Sequence, residues 1–322
     1  MMIARFTALL AGLLLDALIG DPEWFPHPVR FIGKYISWME TQLRKHCANR
    51  LRAAAVLLTI STVCLTMMLT AFIVLFFYWL HPVAGWISDA LIAWMALSCK
   101  CLAKEAIGVQ NALKISVARG RKQVARIVGR DTQQLSEDEI VKATIETVAE
   151  NTTDGVISPI LYYLIGGSIF AMGFKAASTL DSMVGYLDEK YRDIGWASAK
   201  LDDILNYPSA RICALLMCLS AFILRLDWKN AIQIVRRDHA NHKSPNCAWS
   251  EAAAAGALHI QLGGTHMYFG KPIEKPTIGD NDRTATFQDI NSTCNLLYIT
   301  TILMTLLCGL VVFCSFIPRN IL

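Results

Sequence analysis

Between Ala143 and Arg211 the chain concentrates side chains suited to hold a cation and an anion together: Glu146, Glu150, Asn151, Asp154, Lys175, Asp181, Asp188, Asp202, Asp203, Asn206, Tyr207 and Arg211. Their neighbours are strongly apolar, and carboxylates near lipid are costly enough that they usually mark function. Glu146 and Glu150 are four apart and share a helix face. Glu150, Asn151 and Asp154 fall toward the expected C-terminal end of that helix, where the macrodipole disfavours negative charge. Mg²⁺, an oxygen-ligand cation, would compensate, which makes Glu150 and Asp154 candidate metal ligands. The plain alternative is a solvated helix end beside a membrane. Asp181 and Asp188, seven apart, are expected on one helix face with Gly185 leaving space between them, against the alternative of an interfacial amphipathic helix. Asp202-Asp203-x-x-Asn206-Tyr207-Pro208 serves a helix cap as readily as a bound metal or nucleotide. Arg211, one turn beyond Tyr207, can meet a phosphate or snorkel.

Two further groups lie outside that stretch. Asp16, Gly20-Asp21-Pro22 and His27-Pro28-x-Arg30 place prolines so that the chain turns rigidly after its first apolar segment. Such a turn can preset a base, His27, and a cation, Arg30, although a histidine near a turn is more often structural. Arg236-Arg237-Asp238, then Asn246 and Glu251, then Leu262-Gly263-Gly264 form the second group. Its arginines suit phosphate, and its glycines can bring backbone N–H groups to an anion. His239 and His242 lack a third ligand at zinc spacing and read as surface residues. The nucleotide signatures G-x-x-x-x-G-K-[ST] and G-x-G-x-x-G are absent.

These residues need a scaffold, and the composition points to a membrane. Hydrophobic residues are 54% and charged residues 17%, with mean hydropathy +0.40. A net charge of +4, without a basic stripe interleaved with aromatics, argues against nucleic acid. The ten cysteines are scattered and are expected as buried, reduced thiols. The N-terminus resembles a signal peptide, but Asp16 interrupts it and it is expected to be retained. Spans are expected at residues 2–19, 53–80, 82–98 and 295–317. Residues 156–174, carrying Pro159 and Gly166-Gly167, and 210–226 are expected as re-entrant or half-buried helices. Residues 20–52, 99–155 and 227–294 carry six, nine and seven Lys/Arg, so all three are expected to be cytoplasmic. Parity then requires that the two doubtful segments both cross or both fail to cross. A capping box at Ser136–Glu139 should start a helix that Gly155 and Pro159 end, and 270–288 reads as a loop. The expected fold is all-α and polytopic. It forms a single membrane-embedded domain over 1–322, with about four full spans, two short membrane helices, a helical insertion near 99–155 and a loop near 227–294.

The motifs LLLDALIGDP with HPVRFIG, ETVAENTTDGVISP, KAASTLDSMVGYLDEKYRDIGWASAKLDDILNYPSAR and SPNCAWSEAAAAGALHIQLGG together resemble the adenosylcobinamide-phosphate synthase family, membrane proteins of cobalamin biosynthesis. The likeness covers nearly the whole chain. Ala248 and Ser250 stand where that family more usually has Gly and Pro. The resemblance implies an ATP-dependent amide ligase that joins aminopropanol, as its O-phosphate, to a propionate of adenosylcobyric acid. The implied cofactors are ATP and Mg²⁺, and the implied setting is the inner membrane with the motifs facing the cytoplasm. On residue chemistry, Glu150, Asp154 and Asp181 are candidate metal ligands. Lys175, Arg30 and Arg211 are candidate phosphate partners, and His27 or an Asp is the candidate base. Asn151, Asp202, Asp203, Asn206, Tyr207, Asn246 and Glu251 would complete the substrate and nucleotide site. The likeness itself assigns none of these roles. It leaves open homo-oligomerisation and association with other enzymes of the pathway. A transporter for an anionic metabolite and a non-catalytic regulatory membrane protein are the rival readings.

Overall fold

Long apolar runs propagate helix readily, and proline and glycine punctuate them. A computed structural model describes residues 2–22, 24, 26–186, 188–268 and 270–315. α1 (Met2–Ile19) ends at Gly20, whose φ of 67° favours glycine. Pro28 opens α2 (Pro28–His46) and Pro82 opens α4 (Pro82–Ala96), each after a histidine N-cap, with α3 (Leu51–Leu80) between the two helices. Among the described residues five segments are long and apolar enough to cross a membrane: Met2–Ile19, Ala48–Leu80, Pro82–Leu113, Trp196–Ile223 and Phe287–Cys314. The chain is a polytopic, all-α membrane protein.

The helices after α4 differ from expectation in three places. α5 (Cys99–Leu113) and α6 (Val117–Val124) precede α7 (Glu137–Thr152), which starts at the expected capping box. α7 does not stop at Gly155 or Pro159. It passes into a π-turn, Thr153–Ile157, and then into α8 (Ser158–Gly166). A wide turn alters the local hydrogen bonding and so accommodates a residue without an N–H. Gly167, at φ 69°, then breaks the chain before α9 (Ser168–Val184), as its glycines foretell. Second, residues 212–224 are no isolated half-span. They end α10 (Trp196–Ile223), a 28-residue helix that runs through Pro208. Asp202, Asp203 and Arg211 interrupt the hydropathy but not the helix. Third, 270–288 contains a strand. After α11 (Trp228–Asp238) and α12 (Cys247–Leu258), β1 (Leu262–Tyr268) and β2 (Lys271–Ile278) form an antiparallel hairpin with Thr265 opposite Glu274. Pro272 and Pro276 argue against a central strand, but a two-stranded ribbon has only edges, where proline is tolerated. α13 (Phe287–Cys314) follows.

The chain divides into two compact units. The first holds residues through Ser98, Ser158–Asn206 and the chain from Thr305. In it α1 closes on α4 at Gly12, where a Cβ would lie 2.7 Å from that of Ala93. Trp94 Nε1 donates to the Gly20 carbonyl at 3.0 Å. Asp89 is buried in a span and accepts from Tyr78 at 3.2 Å and from Ser168. The second unit holds Cys99–Ile157 and Tyr207–Met304. There Ile140, Thr144, Ile145 and Val148 bury one side of α7, as their spacing predicts. α12 meets α11 at Gly256, where a Cβ would fall 2.7 Å from the Ala231 Cα.

Candidate functional site

In the first unit the N-terminal motif and Lys175 come together electrostatically. Pro28 sets the start of α2, and His27 caps it by accepting the Val29 N–H at Nδ1, 3.3 Å away. Burial, then the charge of Lys175, pushes the His27 imidazole down to about 4. It is therefore neutral, and with Nδ1 used as acceptor its proton sits on Nε2. In this tautomer the ring accepts at Nδ1 and offers an N–H at Nε2. Asp21 carries the opposite shift. Burial, reinforced by Asp16 and opposed by Lys175, raises its carboxyl to about 6. A carboxylate poised near neutrality suits general base work, a role that the Asp21-Pro22 turn motif does not reveal. Arg30 is exposed, and its charge adds to the depression of His27.

The other expected residues of this unit divide. Lys175 and Asp181 are half-buried on α9. A Cβ on Gly185 would sit 1.9 Å from an Asp181 carboxylate oxygen, so glycine is required there for Asp181 to keep its position. Asp188 does not share the helix face with Asp181. α9 has already ended at Val184, and the exposed Asp188 instead accepts the Tyr191 N–H at 2.9 Å. Asp202 and Asn206 are joined, Nδ2 to Oδ2 at 3.0 Å, and Ser158 donates to Asn206 at 2.6 Å. Asp203 pairs with Lys200 at 3.4 Å. This stretch is helix interior, so the helix-capping alternative falls away.

In the second unit a buried polar cluster gathers around α7. Glu146 binds Arg130 and accepts the Gly263 N–H at 2.8 Å. The glycine pair thus meets an anion, but one belonging to the chain. Arg130 also reaches His266 at 2.8 Å, and burial with that guanidinium lowers His266 to about 4. Glu150 accepts from the Cys247 thiol at 3.1 Å. Glu251, 7% exposed, is held well above the usual carboxylate range by burial and by Glu146 and Glu150, and so keeps its proton. Burial and the carboxylates Glu150, Asp154 and Glu251 likewise hold Cys247 as a thiol. His242 is half-buried, not on the surface, and burial with Lys275 lowers it. Asn151 turns back to the Thr147 carbonyl at 2.9 Å. Arg211 donates to the Tyr207 carbonyl at 2.7 Å and to Asn246 Oδ1 at 3.1 Å. Its guanidinium centre stacks 3.4 Å from the Tyr207 ring and 4.7 Å from Trp249. Arg237 is spent on Asp238 and Asp280, at 2.8 and 2.9 Å. Arg130, His266 and Lys275 form no local motif with the glutamates, and Cys247 and Trp249, though close to Glu251 in sequence, meet Glu150 and Arg211 only through the fold.

Among the described residues no three His, Cys, Asp or Glu side chains form a metal-binding group. Glu150 and Asp154 belong to the second unit and Asp181 to the first. Glu150 and Asp154 are hard oxygen donors one helical turn apart. That donor set fits Mg²⁺, which typically takes one or two carboxylates plus phosphates.

Comparison with known proteins places this architecture. The chain is 47% identical over 293 residues to cobalamin biosynthesis protein CobD of Listeria monocytogenes, covering 89% of this chain and 92% of that protein. It is 48% identical over 311 residues to the protein of the same name from Streptococcus sanguinis, covering 96% of each. The corresponding Geobacter metallireducens protein is 46% identical over 299 residues, 92% of this chain and 94% of the other. No solved structure matches. With a family model matched across residues 9–297, spanning both polar clusters, the chain belongs to the CobD/Cbib protein family.

Proposed function

We propose that the protein is an ATP-dependent amide ligase of cobalamin biosynthesis that attaches aminopropanol O-phosphate to a propionate side chain of adenosylcobyric acid. Family membership supports the pathway. The reaction type is what the family resemblance implies, and the observation that supports it is that Asp21 and His27 both feel the charge of Lys175. A carboxylate acylates an amine only after activation, here by phosphoryl transfer from ATP to give an acyl phosphate. Attack by the amine then forms the amide and releases phosphate and a proton. Asp21 takes the proton from the amine, His27 Nε2–H donates a hydrogen bond to a substrate oxygen, and Lys175 and Arg30 face anionic groups. Glu150 and Asp154 would hold Mg²⁺, and the ion would neutralise nucleotide phosphates. In the second unit, Asn246, Tyr207 and Trp249 hold the Arg211 guanidinium as a rigid cation. The active groups face the cytoplasm, where ATP is.

The test is turnover by the purified protein with adenosylcobyric acid, aminopropanol phosphate and Mg-ATP. An amide product that vanishes without ATP supports the ligase. Uptake of the corrinoid into proteoliposomes, with no amide and no ADP formed, overturns it in favour of a carrier.

A further inference from the structure

We infer that the first unit holds an acyl chain of an anionic membrane phospholipid in an internal cavity. The cavity encloses about 340 Å³ among α2, α3, α4 and α9. Thr62, Thr70, Ile92 and Met172 form a buried floor, and Phe31, Leu69 and Ile73 an exposed rim. The opening therefore lies on the outer face of α3, within a segment long and apolar enough to span a bilayer. The threonines offer a ligand no free donor. Thr62, Thr66 and Thr70 donate to the carbonyls of Leu58, Thr62 and Thr66 at 2.7, 2.8 and 2.8 Å.

Size and chemistry exclude the substrates proposed above. Apart from the Tyr35 hydroxyl the walls are apolar or threonines bonded to their own helix, and burying phosphate oxygens against so few donors is costly. A corrinoid is too large for a pocket at the lower end of the roughly 300–1,000 Å³ range of ligand sites. The lining runs ~17 Å along α3 at ~1.5 Å per residue, the shape of an extended alkyl chain. Charge at the rim selects the headgroup. α2 exposes Arg30, Phe31, Lys34 and Trp38, with Lys34 Nζ 5.9 Å from the Phe31 ring, and has no acid before Glu40. Basic residues interleaved with exposed aromatics mark a helix lying in the interface against anionic lipid. Pro26, Pro28 and Met95 of the lining also flank or approach His27. An occupying chain therefore walls that cluster off from water and ties its chemistry to the bilayer.

The test needs no turnover and so stands apart from the ligase reading. Protein extracted with its bilayer is stripped with detergent and examined by native mass spectrometry. Retained phosphatidylglycerol is expected on the wild type and at least tenfold less on Thr66→Trp, while Lys34→Glu should abolish the preference over phosphatidylcholine. A phosphatidylglycerol with a photoreactive group in mid-chain, applied to unmodified protein, should label peptides containing Met95 or Met172. No retained lipid, equal retention of both headgroups, or labelling confined to other faces of α3 overturns the inference.

Discussion

Asp21 and His27 are shifted in opposite directions by the same burial, which separates their roles. Above pH about 6 Asp21 is a carboxylate and can accept a proton, and below that it is already protonated. kcat/KM for amide formation should therefore fall as pH drops through about 6. Asp21→Asn should remove that limb and cost ~10²-fold or more in rate. A pH–rate profile of both proteins checks this, and an unchanged acidic limb in Asp21→Asn rules Asp21 out as the base. Asp21's folded pKa lies above its ordinary 3.8, so its contribution to stability is present below 3.8 and lost as pH rises through 6. His27's lies below 6.5, so its contribution is present above 6.5 and lost as pH falls through 4. At neutral pH Asp21 is thus a stability cost, as expected of a group kept for chemistry. Glu251 offers a second residue-scale test. Because it is held protonated, Glu251→Gln keeps shape and charge and should leave the thermal midpoint nearly unchanged. Glu251→Ala opens a void among Glu146, Glu150 and Cys247 and should cost about 2 kcal/mol. A large loss in Glu251→Gln would mean that the carboxylate form is needed.

At the scale of elements, glycine sets how closely the helices approach. At Gly256 any Cβ meets backbone of α11, which cannot rotate away as a side chain can. Gly256→Val should lower stability by about 1–3 kcal/mol, the usual cost of overpacking, read as a drop in the detergent-phase melting midpoint. Gly129, with nothing near its missing Cβ, is the control: Gly129→Ala should leave the midpoint in place. Elements of this kind show how far sequence carries. The break at Pro82 and the capping box are local, and each is legible; Pro28 reads as an extended turn but opens α2, and Gly185 reads as a gap between Asp181 and Asp188 but clears Asp181 alone. The π-turn is not legible, because an i→i+5 turn has no residue signature and Pro159 with Gly155 looks like a helix stop. The hairpin was hidden by prolines that only an edge strand tolerates. The Glu150–Cys247 and Glu146–Gly263 pairs join residues about a hundred positions apart in sequence, and no spacing rule reaches them.

At the scale of the molecule, side is decided by parity. α8, with nine residues, rises ~14 Å at ~1.5 Å per residue and cannot span a ~30 Å core by itself. α10 is long enough. If α10 crossed while α8 and α9 turned back, the basic segments 99–155 and 227–294 would face opposite compartments, against their shared excess of Lys/Arg. So α8–α9 and α10 either both cross, placing the exposed Glu189 outside, or both stay on the inner side, placing it in the cytoplasm. Asp181, Asp202 and Asp203 flank that turn, and a role with ATP requires the second arrangement. In a cysteine-free background, Glu189→Cys should resist a membrane-impermeant maleimide in intact cells and react once the membrane is opened. A cysteine placed at the His81 turn should do the reverse and label in intact cells. Labelling of Glu189→Cys from outside would put the Asp181 end of α9 beyond the reach of cytoplasmic nucleotide and remove Asp181 from the ligase reading.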